Sequence, residues 1–262
     1  ELTFREHDPQ EQERRDKSRT FWKMYELAEG FYQQNLGAPV GGQCREYLEQ
    51  RKLSPEVANH FALGWSEQSW DKLRLFLERQ GYSKELGAEC GLLSKNEKGN
   101  IYDRFRARLM FPIRNVPNQV LAFGGRVLIS DEPKYINSSD SLIYKKGEHL
   151  YGLVQARRAI TATRTALLTE GYMDVLSLHQ FGYENSCGVL GTALTPQQVK
   201  RLAGFCSVVE LLFDGDRAGR KAALRSSEMI LLAGLRCRVV LMPEGEDIDS
   251  LLQTHGPEAF EE

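Results

Sequence analysis

The stretch Val208-Val209-Glu210-Leu211-Leu212-Phe213-Asp214-Gly215-Asp216-Arg217-Ala218-Gly219-Arg220 decides how this chain is read. An apolar, strand-like run ends on two aspartates separated by one glycine, and a helix-competent segment follows at once. Open α/β sheets bind their ligands outside the carboxyl ends of the strands, which is where these acids fall. Two carboxylates two residues apart, with a glycine letting the backbone bend between them, can face one hard divalent cation. The stretch outlines a metal site that needs further ligands from elsewhere in the chain.

Working outward, strands and helices alternate from Ala166 to the C-terminal end. Strands are predicted at 166–169, 185–189, 207–213 and 236–241, and helices at 171–181, 195–203, 216–233 and 248–255. That alternation specifies a largely parallel sheet with helices on its faces. In such a sheet the strand ends open on one edge. The first strand runs into Glu170-Gly171-Tyr172-Met173-Asp174, and the last is followed by Pro243-Glu244-Gly245-Glu246-Asp247-Ile248-Asp249. Glu170, Asp214, Asp216, Asp247 and Asp249 are therefore expected to converge, with Asp174 behind them. An all-oxygen set suits Mg²⁺ or Mn²⁺ rather than zinc. Any one of these acids alone reads as a solvated loop residue or a helix cap. Three acid-bearing strand ends in one sheet make the metal reading the stronger one.

Ahead of this lies a different region. Phe21, Met24, Tyr25, Leu27, Ala28, Phe31 and Tyr32 recur at helical spacing over 11–35, and further helices are expected at 42–51, from Ser54-Pro55, at 70–79 and at 84–90. The character turns β-prone at 109–113 and 120–128, joined by the turn signal Asn115-Val116-Pro117-Asn118-Gln119. Between Arg104 and Ser130 five arginines (Arg104, Arg106, Arg108, Arg114, Arg126) meet no acid, although the 262-residue chain as a whole has a formal net charge of −2. A basic tract beside an acidic metal edge is the pattern of a protein that handles a polyanion. Arg104, Arg106 and Arg108 alternate as if on a strand, so two of them would share a face. Arg126, Lys134 and Lys146 lie among glycines and turns that suit phosphate contact. Tyr135 and Tyr151 read equally as base-stacking or as packing residues.

Other classes are disfavoured. No apolar run has the ~18 residues of a membrane span, and the polar first twenty residues read as no signal peptide. Five scattered cysteines (Cys44, Cys90, Cys187, Cys206, Cys237) without a Cys-x-x-Cys pair fit a reducing compartment and no zinc site. A cytoplasmic, monomeric protein is the expectation, and the missing initial Met suggests a fragment or processed chain.

Three motifs together resemble a known family. Glu170-Gly-Tyr-Met-Asp174, Leu190-Gly-Thr-Ala-Leu-Thr195 and Asp214-Gly-Asp-Arg-Ala-Gly-Arg220 are similar to the TOPRIM domain of bacterial DnaG-type primases. The likeness continues upstream through Asp103-Arg-Phe-Arg-Ala-Arg-Leu-Met-Phe-Pro-Ile-Arg114, Phe123-Gly-Gly-Arg-Val127, Pro133-Lys-Tyr-Ile-Asn-Ser138 and Lys146-Gly-Glu-His-Leu-Tyr-Gly152. It implies a helical and β-containing basic subdomain (residues 1–160) packed on a TOPRIM-type α/β domain (residues 161–262). The implied activity is primer RNA synthesis on single-stranded DNA from ribonucleoside triphosphates. Glu170, Asp214 and Asp216 would be catalytic. Arg104, Arg106, Arg108, Arg126, Lys134, Asn137 and Lys146 would bind nucleic acid or nucleotide. The resemblance also implies a replicative helicase as partner, through a C-terminal domain outside these residues. One departure is visible: Ile248 stands where the family usually has proline, between Asp247 and Asp249.

Overall fold

The computed structural model describes residues 9–129, 133–191, 193–214, 216–242 and 246–260. Gly215, Thr192 and Pro243–Gly245 of the motifs quoted above lie outside the described residues.

The chain opens on α1 (Pro9–Gly37), which buries Phe21, Met24, Tyr25, Ala28 and Tyr32 along one stripe. That spacing of three and four lays one face of the helix on the core. Three short helices follow: α2 (Gly42–Gln50), α3 (Pro55–His60) and, after a brief strand β1 (Gly64–Ser66), α4 (Lys72–Arg79). Ser54 caps α3 by accepting a hydrogen bond from Val57 N, with Pro55 at the first helical position. Helix α5 (Lys84–Glu89) then leads into the ribbon of β2 (Leu93–Lys95) and β3 (Ile101–Asp103).

An antiparallel sheet of order β1-β4-β5-β6 forms the middle of the molecule, from β4 (Arg108–Arg114), β5 (Val120–Val127) and β6 (Tyr135–Asn137). Its inner face and α1 share one core, in which Tyr25 stacks on Phe123 with ring centroids 5.6 Å apart. The expected strand through Arg104, Arg106 and Arg108 does not form. Residues 104–107 connect β3 to β4, and Ala107 sits at a φ of +52°, which ends any alternation of faces.

The parallel sheet has order β10-β9-β7-β8, from β7 (Thr165–Thr169), β8 (Ser186–Gly188), β9 (Val208–Phe213) and β10 (Arg236–Leu241). Helices α6 (Leu153–Thr163), α8 (Pro196–Ala203) and α9 (Arg217–Leu232) interleave with it, as do α7 (Tyr172–Gln180) and α10 (Ile248–His255). Leu153, Ala156 and Ile160 of α6 belong to this sheet's core along with Leu168, Val209 and Leu211. A division of the chain at 160/161 would cut that helix, so we propose the boundary between units at Gly152. Leu178 and Leu252, from α7 and α10, pack together on the opposite face.

The two units meet at a cluster of rings. Tyr172 at the start of α7 stacks on Phe111 of β4 at 4.7 Å and meets Tyr151 edge-on at 4.7 Å. A Cβ at Gly124 would stand 2.4 Å from the Tyr172 ring, so only glycine lets β5 come this close. Tyr151 is 1 % exposed and packs in this core, which settles it as a packing residue. Among the described residues no helix is long and apolar enough to cross a membrane, and no cysteine is disulfide-bonded.

His179, near the end of α7, is buried and its Nε2 shares a 3.0 Å hydrogen bond with Ser186 O. Burial, with a smaller push from His60, lowers its pKa to about 4. A base whose folded pKa is depressed contributes stability in full above its unfolded value of ~6.5, and loses it as pH falls toward the folded value. Urea midpoints of the wild type are expected to drop between pH 7 and pH 5 by more than those of His179→Gln. Equal drops would show that His179 is not part of the acid limb.

Candidate active site

In the parallel sheet, the connection from β7 runs to β8 on one side and that from β9 to β10 on the other. The point where the winding reverses lies between β7 and β9, and ligands of such sheets bind in the crevice outside that pair of strand ends. Glu170 is the first residue after β7, and Asp214 the first after β9. Both therefore stand on the two lips of the crevice. Gly219 sets the angle at which α9 leaves it: a Cβ there would sit 2.2 Å from Asp214 O.

The acids of this edge act on one another. Burial raises the pKa of Glu170, and the charges of Asp214 and Asp216 raise it further. Asp214 is raised by burial and then by Asp247 and Asp216. Asp174 is pushed up to about 7 by burial, followed by the charges of Asp247, Asp214 and Asp249. Asp216 and Asp247 have structural work as well. The Asp216 carboxylate caps α9 by accepting from Gly219 N at 2.7 Å, and that of Asp247 caps α10 by accepting from Ser250 N at 2.7 Å. Asp249 is placed differently from the others: its side chain is 3 % exposed and turns away from the open edge toward Ser177 and Arg51.

Among the described residues no group of three acids, histidines or cysteines is assembled tightly enough to enclose an ion. The donor chemistry nevertheless fits a hard divalent cation, since all the donors are oxygens and their mutual repulsion is what such a cation relieves.

The basic residues divide into two sets. Several are spent on holding the fold. Arg104 donates to Asn137 O at 2.8 Å, and Arg108 to Gly125 O at 3.1 Å and Pro133 O at 3.0 Å. Asn137 itself is a bracket between the units. Its Oδ1 accepts from Tyr172 Oη at 2.5 Å and its Nδ2 donates to Leu190 O at 2.9 Å. Arg106 donates to Asp103 O at 2.6 Å and also lies 4.0 Å from the ring centre of Trp70 and 5.3 Å from that of Tyr102, the two rings meeting edge-on. Trp70 is 63 % exposed, an aromatic-arginine platform that composition and spacing had hidden inside an expected helix. Arg126 lies over Tyr47 and Tyr135 and donates to Tyr135 Oη at 2.9 Å. Lys134 is exposed, and Lys146 sits in a loop that α8 grips: Thr195 Oγ1 donates to Gly147 O at 2.5 Å and Gln198 Nε2 to His149 O at 2.6 Å.

Comparison with known proteins now bears on these units. Residues 31–157 match the family described as DNA primase catalytic core, N-terminal domain, and residues 167–252 match a Toprim-like family. A DNA primase of Pasteurella multocida is 44 % identical over 245 residues, which cover 91 % of this chain and 41 % of that protein. The chain thus spans about two fifths of the length of the curated relatives it matches. Among solved structures, a DNA primase domain from Pseudomonas aeruginosa shares 40 % identity at a TM-score of 0.85, covering 92 % of this chain and 77 % of that one. A DnaG primase catalytic domain bound to single-stranded DNA shares 40 % identity at a TM-score of 0.87, over 94 % of this chain and 80 % of that one. A basic antiparallel unit of one match, joined in order to the acid-edged parallel sheet of the other, places this chain in the bacterial DnaG-type primase family, as a catalytic core.

Proposed function

We propose that this chain synthesises short RNA on a single-stranded DNA template from ribonucleoside triphosphates. One observation above all supports the reading: Glu170 and Asp214 flank the winding reversal of the parallel sheet, with Asp216 beside both, Asp247 beside Asp214, and Asp174 behind them within reach of Asp214 and Asp247. A relative with 40 % identity is known bound to single-stranded DNA. For the whole protein, the helicase partnership belongs to the same proposal and is tested by its own pull-down.

The reaction is attack of a primer 3′-hydroxyl on the α-phosphorus of an incoming triphosphate, with pyrophosphate leaving. When bound, Mg²⁺ or Mn²⁺ lowers the cost of the negative charge that builds on the attacking and leaving oxygens. Glu170 and Asp214, with Asp216 and Asp247, would hold that ion. Glu170, the first residue after β7 on the lip of the crevice, is the carboxylate we assign to accept the proton from the hydroxyl. Arg126, Lys134 and Lys146 would hold phosphates, and the Trp70–Arg106–Tyr102 platform offers flat faces to unpaired bases.

A labelled-ribonucleotide incorporation assay on single-stranded template with Mn²⁺ tests the activity, and product that is absent in the wild type overturns it. A module that only binds DNA is the competing reading. It predicts that substitutions at the acid edge change nothing that can be assayed. For the basic tract, Lys134→Ala should weaken binding to single-stranded DNA and flatten the slope of log K against log salt by about 0.7. An unaltered slope would remove Lys134 from the DNA contact.

A further inference from the structure

Asp249 follows Asp247 by two residues, yet the two carboxylates do different work. Asp247 is the extended N-cap of α10 and Asp249 lies in its first turn, and their carboxylates have separate partners. The Asp247 carboxylate faces outward as the α10 cap, whereas that of Asp249 faces α7 and the corner between α2 and α3. Both Asp249 oxygens are taken: Oδ1 accepts from Ser177 Oγ at 2.5 Å and Oδ2 from Arg51 Nη1 at 2.6 Å. Its neighbours extend the same junction. Gln253 Nε2 donates to Arg51 O at 2.6 Å, Gln180 Nε2 donates to Lys52 O, and Ser54 N donates to Gln180 Oε1 at 2.7 Å. The corner at 51–54 is thus gripped by α7 and α10 at once, across sequence separations of 126 to 202 residues.

We propose that Asp249 is a positioning residue, which through Arg51 ties α10 and its capping Asp247 to the helical N-terminal unit. The acid loop and the unit that bears the basic tract then move as one body. Arg51 also lies 5.5 Å from the ring centre of Tyr47, whose ring packs against Arg126 at 5.0 Å, so the tie reaches the basic residues. The proposal rests on the reading of Asp247 as part of the metal edge, but its first test does not.

Hydrogen–deuterium exchange is measured on the metal-free chain for wild type, Asp249→Asn, Arg51→Gln, their combination and Arg51→Lys. Amides 248–255 and 51–54 should exchange about tenfold faster in each glutamine or asparagine variant, with β7 and β9 unchanged. The double variant should exchange no faster than the faster single one, as expected of partners in one interaction. Arg51→Lys keeps a cation in reach and should recover most of the protection. Mn²⁺ titration followed by electron paramagnetic resonance gives the second readout. Asp249→Asn and Arg51→Gln should weaken binding by one and the same factor, smaller than the loss in Asp214→Asn. Asp249→Asn behaving like Asp214→Asn, with Arg51→Gln silent in both measurements, would make Asp249 a ligand and overturn the proposal. Unimpaired Mn²⁺ binding by Asp214→Asn would instead overturn the metal-edge reading and leave the exchange result to judge the tie. Should Asp249→Asn fail to fold, Ser177→Ala loosens the same carboxylate from the other side and should show the same pattern of exchange.

Discussion

Asp214→Ala should lose ribonucleotide incorporation by about a thousandfold, while affinity for single-stranded DNA stays within about twofold. The magnitude follows from the several kcal/mol that a bound divalent ion contributes at a reacting phosphoryl group, at about 1.4 kcal/mol per tenfold in rate. Structure separates this loss from unfolding. Asp214 is an exposed residue just after β9 rather than packed within it, and its pKa is raised by partial desolvation and by the charges of Asp247 and Asp216. An acid whose folded pKa is raised costs stability once it is ionised, so removing it at neutral pH should leave the melting temperature unchanged or higher. Mn²⁺ should raise the melting temperature of the wild type more than that of the variant. Retained incorporation by a folded Asp214→Ala would remove this residue from the chemistry.

Tyr172→Ala should cost about 4 kcal/mol, the range for losing a fully buried large ring. Tyr172 stands where the two units join, stacked on Phe111 and Tyr135, edge-on to Tyr151 and in contact with the Gly124 backbone. At roughly 2–4 °C per kcal/mol for a domain of this size, the melting temperature should fall by about 10 °C. Tyr172→Phe keeps the ring and loses only the hydroxyl that donates to Asn137 Oδ1, so it should cost about 1–2 kcal/mol. Because Asn137 also donates to Leu190 O, the loop after β8 should loosen in both variants. Calorimetry on the pair checks this, and equal losses would mean that the ring contributes nothing beyond its hydroxyl.

The parallel sheet was legible because short β-prone runs alternate with helical segments, and β7, β8 and β9 each end on or run into glycine or an acid. The first helix was legible because 29 residues give the period time to show. Four of the three-residue strands were not, since β1, β2, β3 and β6 are too short for alternation to register and, unlike β8, stand outside the strand–helix alternation. Helix α6 was missed too, as its Leu153, Ala156 and Ile160 stripe lies among arginines and threonines. Arg104–Arg108 misled for a physical reason, since Arg-Phe-Arg-Ala-Arg has the alternation of a strand while Ala107 takes a backbone conformation that breaks it. At the candidate site, sequence could group the acids by their loops but not aim them. That Asp249 faces inward depends on Ser177 and Arg51, 72 and 198 residues away in sequence. Whether Asn137 is free to bind a nucleotide depends on Tyr172, 35 residues away. Trp70 was invisible as a surface residue because a lone tryptophan beside Leu73 and Leu77 reads as core.

The grip of α7 and α10 on the corner at 51–54 also orders events during synthesis. Arg51 emerges 198 residues before its partner Asp249. At ~5–20 residues per second, the ribosome needs about 10–40 s to supply that partner. Through the first part of that interval α2 and α3 rest on the packing of Leu48, Leu53 and Phe61 in the core they share with the antiparallel sheet, and Gln180 of α7 joins them before α10 does. The N-terminal unit is thus built early and fastened late, and the residue that fastens it lies beside the last acid of the catalytic edge. A chain released before residue 249 keeps the contacts from Gln180 but lacks the fastening from α10.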